Sequence, residues 1–316
     1  MKRLILLLSI TIIFVSCSSD NEPSIQNTTS LVFTEVMSFQ VDTLELDMAS
    51  NIVVNSFYIT YSGDSGYNEN VLKYNLTTSS QSDLTHPDIS ESRQIEIIND
   101  NIYSISSNDI YKFDLDLNNL VNISDSYNNM RYLRTTSLNN ELLIIGGSDE
   151  IAKFDTNTEA YDFSLSDSPY GYRDQRDGEI YNNNIYMFGG ANSTPQQWPE
   201  EDIINSFDEI TIYNMSTDNW SQTQSLPYQV FESFTSLYND SIIVTGNKNQ
   251  DQTNSFIGRY DLLTDSYSEF DTSLDLENIT IRGVTVLNDE IIIAYIDLVS
   301  PMPDLMTVKV VKASLI

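Results

Sequence analysis

One short pattern recurs six times along this chain and constrains what it can fold into. The copies are VNSFYITYSG at 54–63, INDNIYSISS at 98–107, LNNELLIIGG at 138–147, YNNNIYMFGG at 181–190, YNDSIIVTGN at 238–247 and LNDEIIIAYI at 287–296. Each reads as an apolar residue, Asn, one more polar residue in most copies, and then an apolar run. Asn and Asp tolerate positive φ and bond their own backbone, which suits a tight turn. The β-branched and aromatic run behind them suits a buried strand. The copies start at 54, 98, 138, 181, 238 and 287, a period of 40 to 57 residues. Self-similarity at that period marks a set of repeated supersecondary units.

A second element follows each of the first five copies: KYNLTTSSQ (73–81), KFDLDLNNL (112–120), KFDTNTEAY (153–161), IYNMSTDNW (212–220) and RYDLLTDSY (259–267). An aromatic residue precedes Asp or Asn, and seven positions beyond the aromatic stands Gln, Leu, Tyr or Trp. The pairs are Tyr74 with Gln81, Phe113 with Leu120, Phe154 with Tyr161, Tyr213 with Trp220, and Tyr260 with Tyr267. A polar turn between the members of each pair predicts a second antiparallel hairpin.

A strand ending in Gly-Gly, an aromatic-Asp pair and a Trp seven residues later together resemble the kelch repeat. The resemblance covers 31–316 and implies an all-β fold, in which four-stranded blades form a β-propeller. Gly-Gly is intact only at Gly146-Gly147 and Gly189-Gly190, and the Trp only at Trp220. The repeat count therefore carries the argument, rather than membership of a kelch subfamily.

The sixth unit tests the count. Lys309 matches Lys73, Lys112, Lys153 and Arg259, which places Val310 at the aromatic position and its partner at residue 317, one beyond the last residue, Ile316. The last blade is therefore expected to lack its outer strand, with the strand-like LVFTEVMSF (31–39) supplying it. Closing a ring in this way removes exposed sheet edges. The expectation is a six-bladed kelch-like β-propeller closed by an N-terminal strand in the last blade. A seventh blade built on 31–47 is the alternative.

Outside the repeats, residues 1–16 read as a signal peptide. Lys2 and Arg3 form a basic head, and Leu4 to Val15 form an apolar core too short to cross a bilayer, which needs roughly 20 residues. The segment ends at FVSC and resembles a bacterial lipoprotein signal, which implies lipidation of Cys17, the only cysteine. Ordinary secretion with an incidental cysteine is the alternative. Residues 17–30 are polar and aperiodic and read as a flexible tether. The expected location is the outer membrane or cell surface, with membrane attachment through Cys17 alone.

With one cysteine, the mature chain has no internal disulfide and no cysteine-ligated metal. Setting Lys2 and Arg3 aside leaves 13 of the 15 basic residues against 46 acidic ones, a formal charge of −33. Such a surface repels phosphate backbones, which argues against nucleic-acid binding. His86 is the only histidine, so a histidine-rich zinc or copper centre is excluded, and a Ser-His-Asp triad would have to use it. No P-loop or dinucleotide fingerprint is present. No metal or other cofactor is expected.

Seven arginines remain beyond residue 16, and six of them lie in, or lead into, the strand before an Asn turn. Arg93, Arg176 and Arg282 stand six residues before their Asn, Arg134 stands five before, and Arg131 and Arg173 lie slightly upstream. The kelch resemblance makes that strand the lining of a central channel. Guanidinium groups there could bind a carboxylate through paired hydrogen bonds. Pairing with channel acids such as Glu96, Glu179 and Glu232 is the competing reading. The long loops at 191–208, 247–255 and 297–306 open beside the same end, and Trp198 suits stacking on a sugar or a partner side chain.

The leading functional expectation is a binding module for a protein or glycan ligand at the loop face, with an anion site at an arginine-lined channel mouth. One alternative is a carbohydrate-active enzyme resembling kelch sialic-acid epimerases. There, channel arginines would hold the sugar carboxylate and Glu96, Glu179 or Glu232 would move a proton. The other alternative is a purely structural envelope protein.

Overall fold

The asparagine turns take the conformation their sequence favours. The computed structural model describes residues 30–41, 46–62, 69–86, 92–106, 109–125, 134–145, 151–194, 203–248, 254–298 and 306–316. Asn55, Asn99, Asn139, Asn182, Asn239 and Asn288 all sit in the left-handed region, with φ between 48° and 56°. In three turns the next residue, Asp100, Asn183 or Asp289, is left-handed too. Two consecutive left-handed residues make the tight hairpin turn whose twist matches that of the strands.

The second hairpin is built by side-chain capping. Asn75 Oδ1 accepts from the backbone N–H groups of Thr77 and Thr78 at 3.0 and 2.9 Å. Asp155, Asn214 and Asp261 cap their own turns in the same way. Tyr74 and Gln81, Phe154 and Tyr161, Tyr213 and Trp220, and Tyr260 and Tyr267 are direct cross-strand partners. In the second unit the outer strand begins at Val121, opposite Lys112, which leaves Leu120 just outside the ladder.

Six four-stranded antiparallel sheets result. Their innermost strands are Leu46–Asn51, Ser92–Ile98, Thr135–Leu138, Asp177–Tyr181, Glu232–Tyr238 and Ile279–Leu287, for blades one to six in turn. Each touches the next, and the sixth touches the first, so the ring closes. In blade six the fourth strand is Thr34–Val41, paired with Met306–Ser314. Met37 lies opposite Val310 and fills the partner role that the repeat leaves vacant. The same segment that a seventh blade would need is thus the outer strand of the sixth. Just before it, Ser30–Leu31 forms a short parallel pair with Asp271–Thr272, and Leu31 is fully buried.

The hydrophobic core lies between blades. Blades one and two pack Tyr58, Val71, Ile95 and Ile102, while blades six and one pack Phe57, Ile59, Ile292 and Val310. Comparable clusters fill the other four clefts. In a strand such as Ser241–Asn247, buried at every residue, Ile242, Ile243 and Val244 follow one another without polar alternation because both faces are covered.

The hairpin turns and the inter-strand loops lie at opposite ends of the innermost strands. At the loop end of blade four, Gly189 and Gly190 have φ of 57° and 91°. A Cβ on Gly190 would lie 2.7 Å from the Asp174 carbonyl oxygen, so no side chain fits. Beyond them a hairpin of Ala191–Thr194 and Ile203–Ser206 extends the blade. Gly146-Gly147, Cys17, Arg131, Trp198, the signal segment and all of the tether but Ser30 lie outside the described residues.

Candidate functional site

All six innermost strands line a cavity of about 260 Å³ on the channel axis. Carboxylates enter it from three blades, as Asp47, Glu96, Asp177 and Glu179, and hydroxyls from Ser50, Thr135, Ser137, Ser236 and Thr285 add to them. The recurring register explains the grouping. Glu96, Thr136, Glu179, Ser236 and Thr285 each stand three residues before the Asn of their repeat, so five blades present a polar side chain at one depth.

The carboxylates are fixed by the neighbouring blade. An innermost strand has no strand beyond it, so its channel-side N–H groups need other partners. Asp47 Oδ2 accepts from Ile95 N–H at 2.8 Å, Asp177 Oδ2 from Thr235 N–H at 2.7 Å, and Glu179 Oε1 from Leu237 N–H at 3.1 Å. Glu96 accepts the Thr135 and Ser137 hydroxyls, both at 3.0 Å. Each acid therefore joins two blades and is held in one position. A carboxylate oxygen accepts more than one bond, so capacity toward the cavity remains.

Enclosure shapes their protonation. Burial, reinforced by Asp177, pushes the Asp47 carboxyl up to about 7, against a smaller lowering effect from Arg134. Burial and then Asp47 push Glu96 up to about 8, with the Ser137 and Thr135 hydroxyls pulling the other way. Burial raises Asp177 to about 6 despite Arg134, and burial with Asp177 and Glu96 raises Glu179 well above the usual range. Channel solvent still reaches Asp47, Glu96 and Glu179 in part.

The arginines stand at the other end of the same strands. Arg134 from blade three and Arg282 from blade six both bond Glu232 of blade five, at 2.9 and 3.0 Å, and all three are buried. Asn247 Nδ2 donates to the same carboxylate at 3.1 Å. Arg173 pairs with Glu209 at 3.3 Å and lies over the Phe207 ring. Arg176, fully buried, donates to the Ile145 carbonyl at 3.2 Å and faces Trp220. Arg93 belongs to the Ser92–Ile98 strand, but its side chain is outside the described residues.

The structure thus brings Arg134 and Arg282 together around Glu232 and places Arg173 and Arg176 apart, each with its own partners. The accessible cavity lies on the hairpin-turn side of the triad, not at the loop end where the arginine spacing pointed. Exposure rises along the strands in that direction. Arg134, Glu232 and Arg282 are at 6%, 6% and 3%, whereas Leu237 near the turns is at 39%. Asp47 and Asp177 were not singled out from sequence, where they look like any other acids in a strongly acidic chain. Among the described residues, no group of three or more His, Cys, Asp or Glu side chains is placed to hold a metal ion.

Six blades, asparagine hairpins, and a polar channel lined by the innermost strands define a six-bladed β-propeller, with repeats that resemble the kelch pattern. No family model matches the chain. Over 127 residues, 39% of its length, it is 30% identical to the N-acetylneuraminate epimerase of Shigella sonnei (strain Ss046), covering 33% of that protein. It is 29% identical over the same length to the N-acetylneuraminate epimerase of Escherichia coli (strain K12). The match therefore spans about a third of the length of these curated relatives. The solved structure of YjhT aligns with 84% of this chain and 94% of its own, with a TM-score of 0.58 and 13% identity, a likeness of fold.

Proposed function

We propose that this protein is a binding module of the bacterial cell envelope, anchored through lipidated Cys17, whose channel cavity holds a sugar. The observation that carries the reading is the ring of polar groups at one depth. Carboxylates and hydroxyls from several blades face one cavity, and inter-blade hydrogen bonds fix them there. Fixed acceptors bind sugar hydroxyls with little ordering cost. The cavity lies just below the roughly 300–1,000 Å³ of pockets for drug-sized ligands, which suits a single sugar ring. Arg134 and Arg282 are engaged by Glu232, so the geometry favours a neutral or amino sugar over an acidic one.

Isothermal titration with neutral, amino and acidic monosaccharides tests this reading. Binding weakened by Glu96→Gln and by Glu179→Gln is the expected result. Absence of binding to every sugar would favour a structural role. For the anchor, metabolic labelling with an alkynyl fatty acid should mark the wild-type chain and miss Cys17→Ser.

A second reading, an epimerase acting on N-acetylneuraminate, draws on the sequence similarity to proteins of that name. It also draws on Glu96 and Asp47, whose raised affinities let them exchange a proton near neutral pH. Proton NMR of N-acetylneuraminate incubated with the protein checks it. An interconversion rate equal to that in buffer would remove this reading.

A further inference from the structure

We propose that the cavity is a blind cup that takes the terminal sugar of a glycan, entering past the asparagine turns and leaving the rest of the chain outside. The inference rests on the sugar-binding reading above and concerns which part of a glycan is read.

The floor of the cup is the first argument. The bridge from Arg134 through Glu232 to Arg282 crosses the channel from blade three to blades five and six. It lies one residue below Thr135 and two below Val284, both of which line the cavity. Asn247 ties the bridge further down, donating to Glu232 and to the Ile281 carbonyl, while Ser255 donates to Asn247 Oδ1 at 2.9 Å. Asn247 and Ser255 are themselves buried. A polymer threading the channel would have to break this network and strand buried charges, whereas a chain end resting on it breaks nothing.

The mouth is the second argument. Beyond the polar ring, Ser50 and Ser137 are partly exposed and Leu237 is exposed. Hydrogen bonds between blades brace this rim. Asn99 donates to Asn140 and Asn288 to Asn55, while the Tyr181 and Tyr238 hydroxyls donate to Asp240 and Asp289 at 2.6 and 2.9 Å. A rim tied from blade to blade does not widen to admit a chain lying across it. Volume is the third argument: about 260 Å³ lies below the roughly 300–1,000 Å³ of pockets for drug-sized ligands, which suits a chain end better than an extended oligosaccharide.

The test is an array of linear oligosaccharides immobilised through their reducing ends and probed with the full chain. The expected result is that the bound glycans share their terminal sugar, whatever lies beneath it. Bound glycans that share an internal motif under varied termini would overturn the chain-end inference and leave the sugar-binding reading standing. No binding to any glycan would overturn that reading itself. Leu237→Trp, which narrows the mouth, should weaken array binding by at least about tenfold with an unchanged melting temperature. Undiminished binding by a folded Leu237→Trp would show that the mouth lies elsewhere.

Discussion

Glu232 accepts hydrogen bonds from Arg134 and Arg282 at once, so one carboxylate of blade five holds blades three and six across the channel. The two guanidinium groups are buried, and removing the acid takes away the carboxylate they share. Breaking such a buried pair from one side costs about 3–5 kcal/mol. Glu232→Ala is therefore expected to lose about that much in urea unfolding. Replacing all three members with apolar residues of similar volume should cost far less. A triple variant as unstable as Glu232→Ala would show that the bridge contributes net stability of its own.

Stability should fall as pH rises from about 5 to about 8. Asp47, Glu96 and Asp177 have carboxyls raised to about 7, 8 and 6 in the fold, from ordinary values near 4. A raised carboxyl makes the folded state bind more protons than the unfolded state over that window. Its contribution is complete below the unfolded value and is lost as pH climbs through the folded one. Glu96→Gln should flatten the upper part of the profile, followed as the urea midpoint against pH. A slope unchanged in Glu96→Gln would mean that this carboxyl titrates normally.

The asparagine turns make a graded prediction. Asn239 has φ of 53°, a conformation that costs an ordinary L-residue about 1 kcal/mol or more. Asn239→Ala should lose about 1 kcal/mol, and Asn239→Gly should lose less. Gly190→Val should be worse than either, because its Cβ would collide with backbone as well as adopting a left-handed φ. Thermal unfolding of the three variants gives the order directly.

The same turns show why the fold was legible in the sequence. Asn55, Asn99, Asn139, Asn182, Asn239 and Asn288 are local signals whose geometry depends on the residue itself, and the aromatic-Asx hairpins are as local. Even the closing strand followed from counting, displaced only from 31–39 to Thr34–Val41. The site was less legible, because it depends on which side chains meet across the ring. Arg134 and Glu232 are 98 residues apart, and nothing local to either marks the pairing. Glu96 and Glu179 did carry a signal, their shared position three residues before an Asn, but it is visible only once the register is known. Asp47 and Asp177 carried none that distinguishes them from the many surface acids.

Ring closure gives the sharpest test of architecture. Thr34–Val41 covers the outer edge of Met306–Ser314, and its Val41 packs with Leu46 and Val308 in the cleft between blades six and one. Removing residues 30–41 would expose a nine-residue strand with open hydrogen-bonding groups, and would also remove Leu31 from the cleft between blades five and six. An uncovered edge of that kind pairs with other chains. The truncated protein should elute as oligomers or aggregate at concentrations where the full chain is monodisperse, and a synthetic peptide of residues 30–41 added during refolding should restore the single species. A truncated chain that stays monomeric with an unchanged melting temperature would mean that five complete blades and one three-stranded blade hold the ring without the strand.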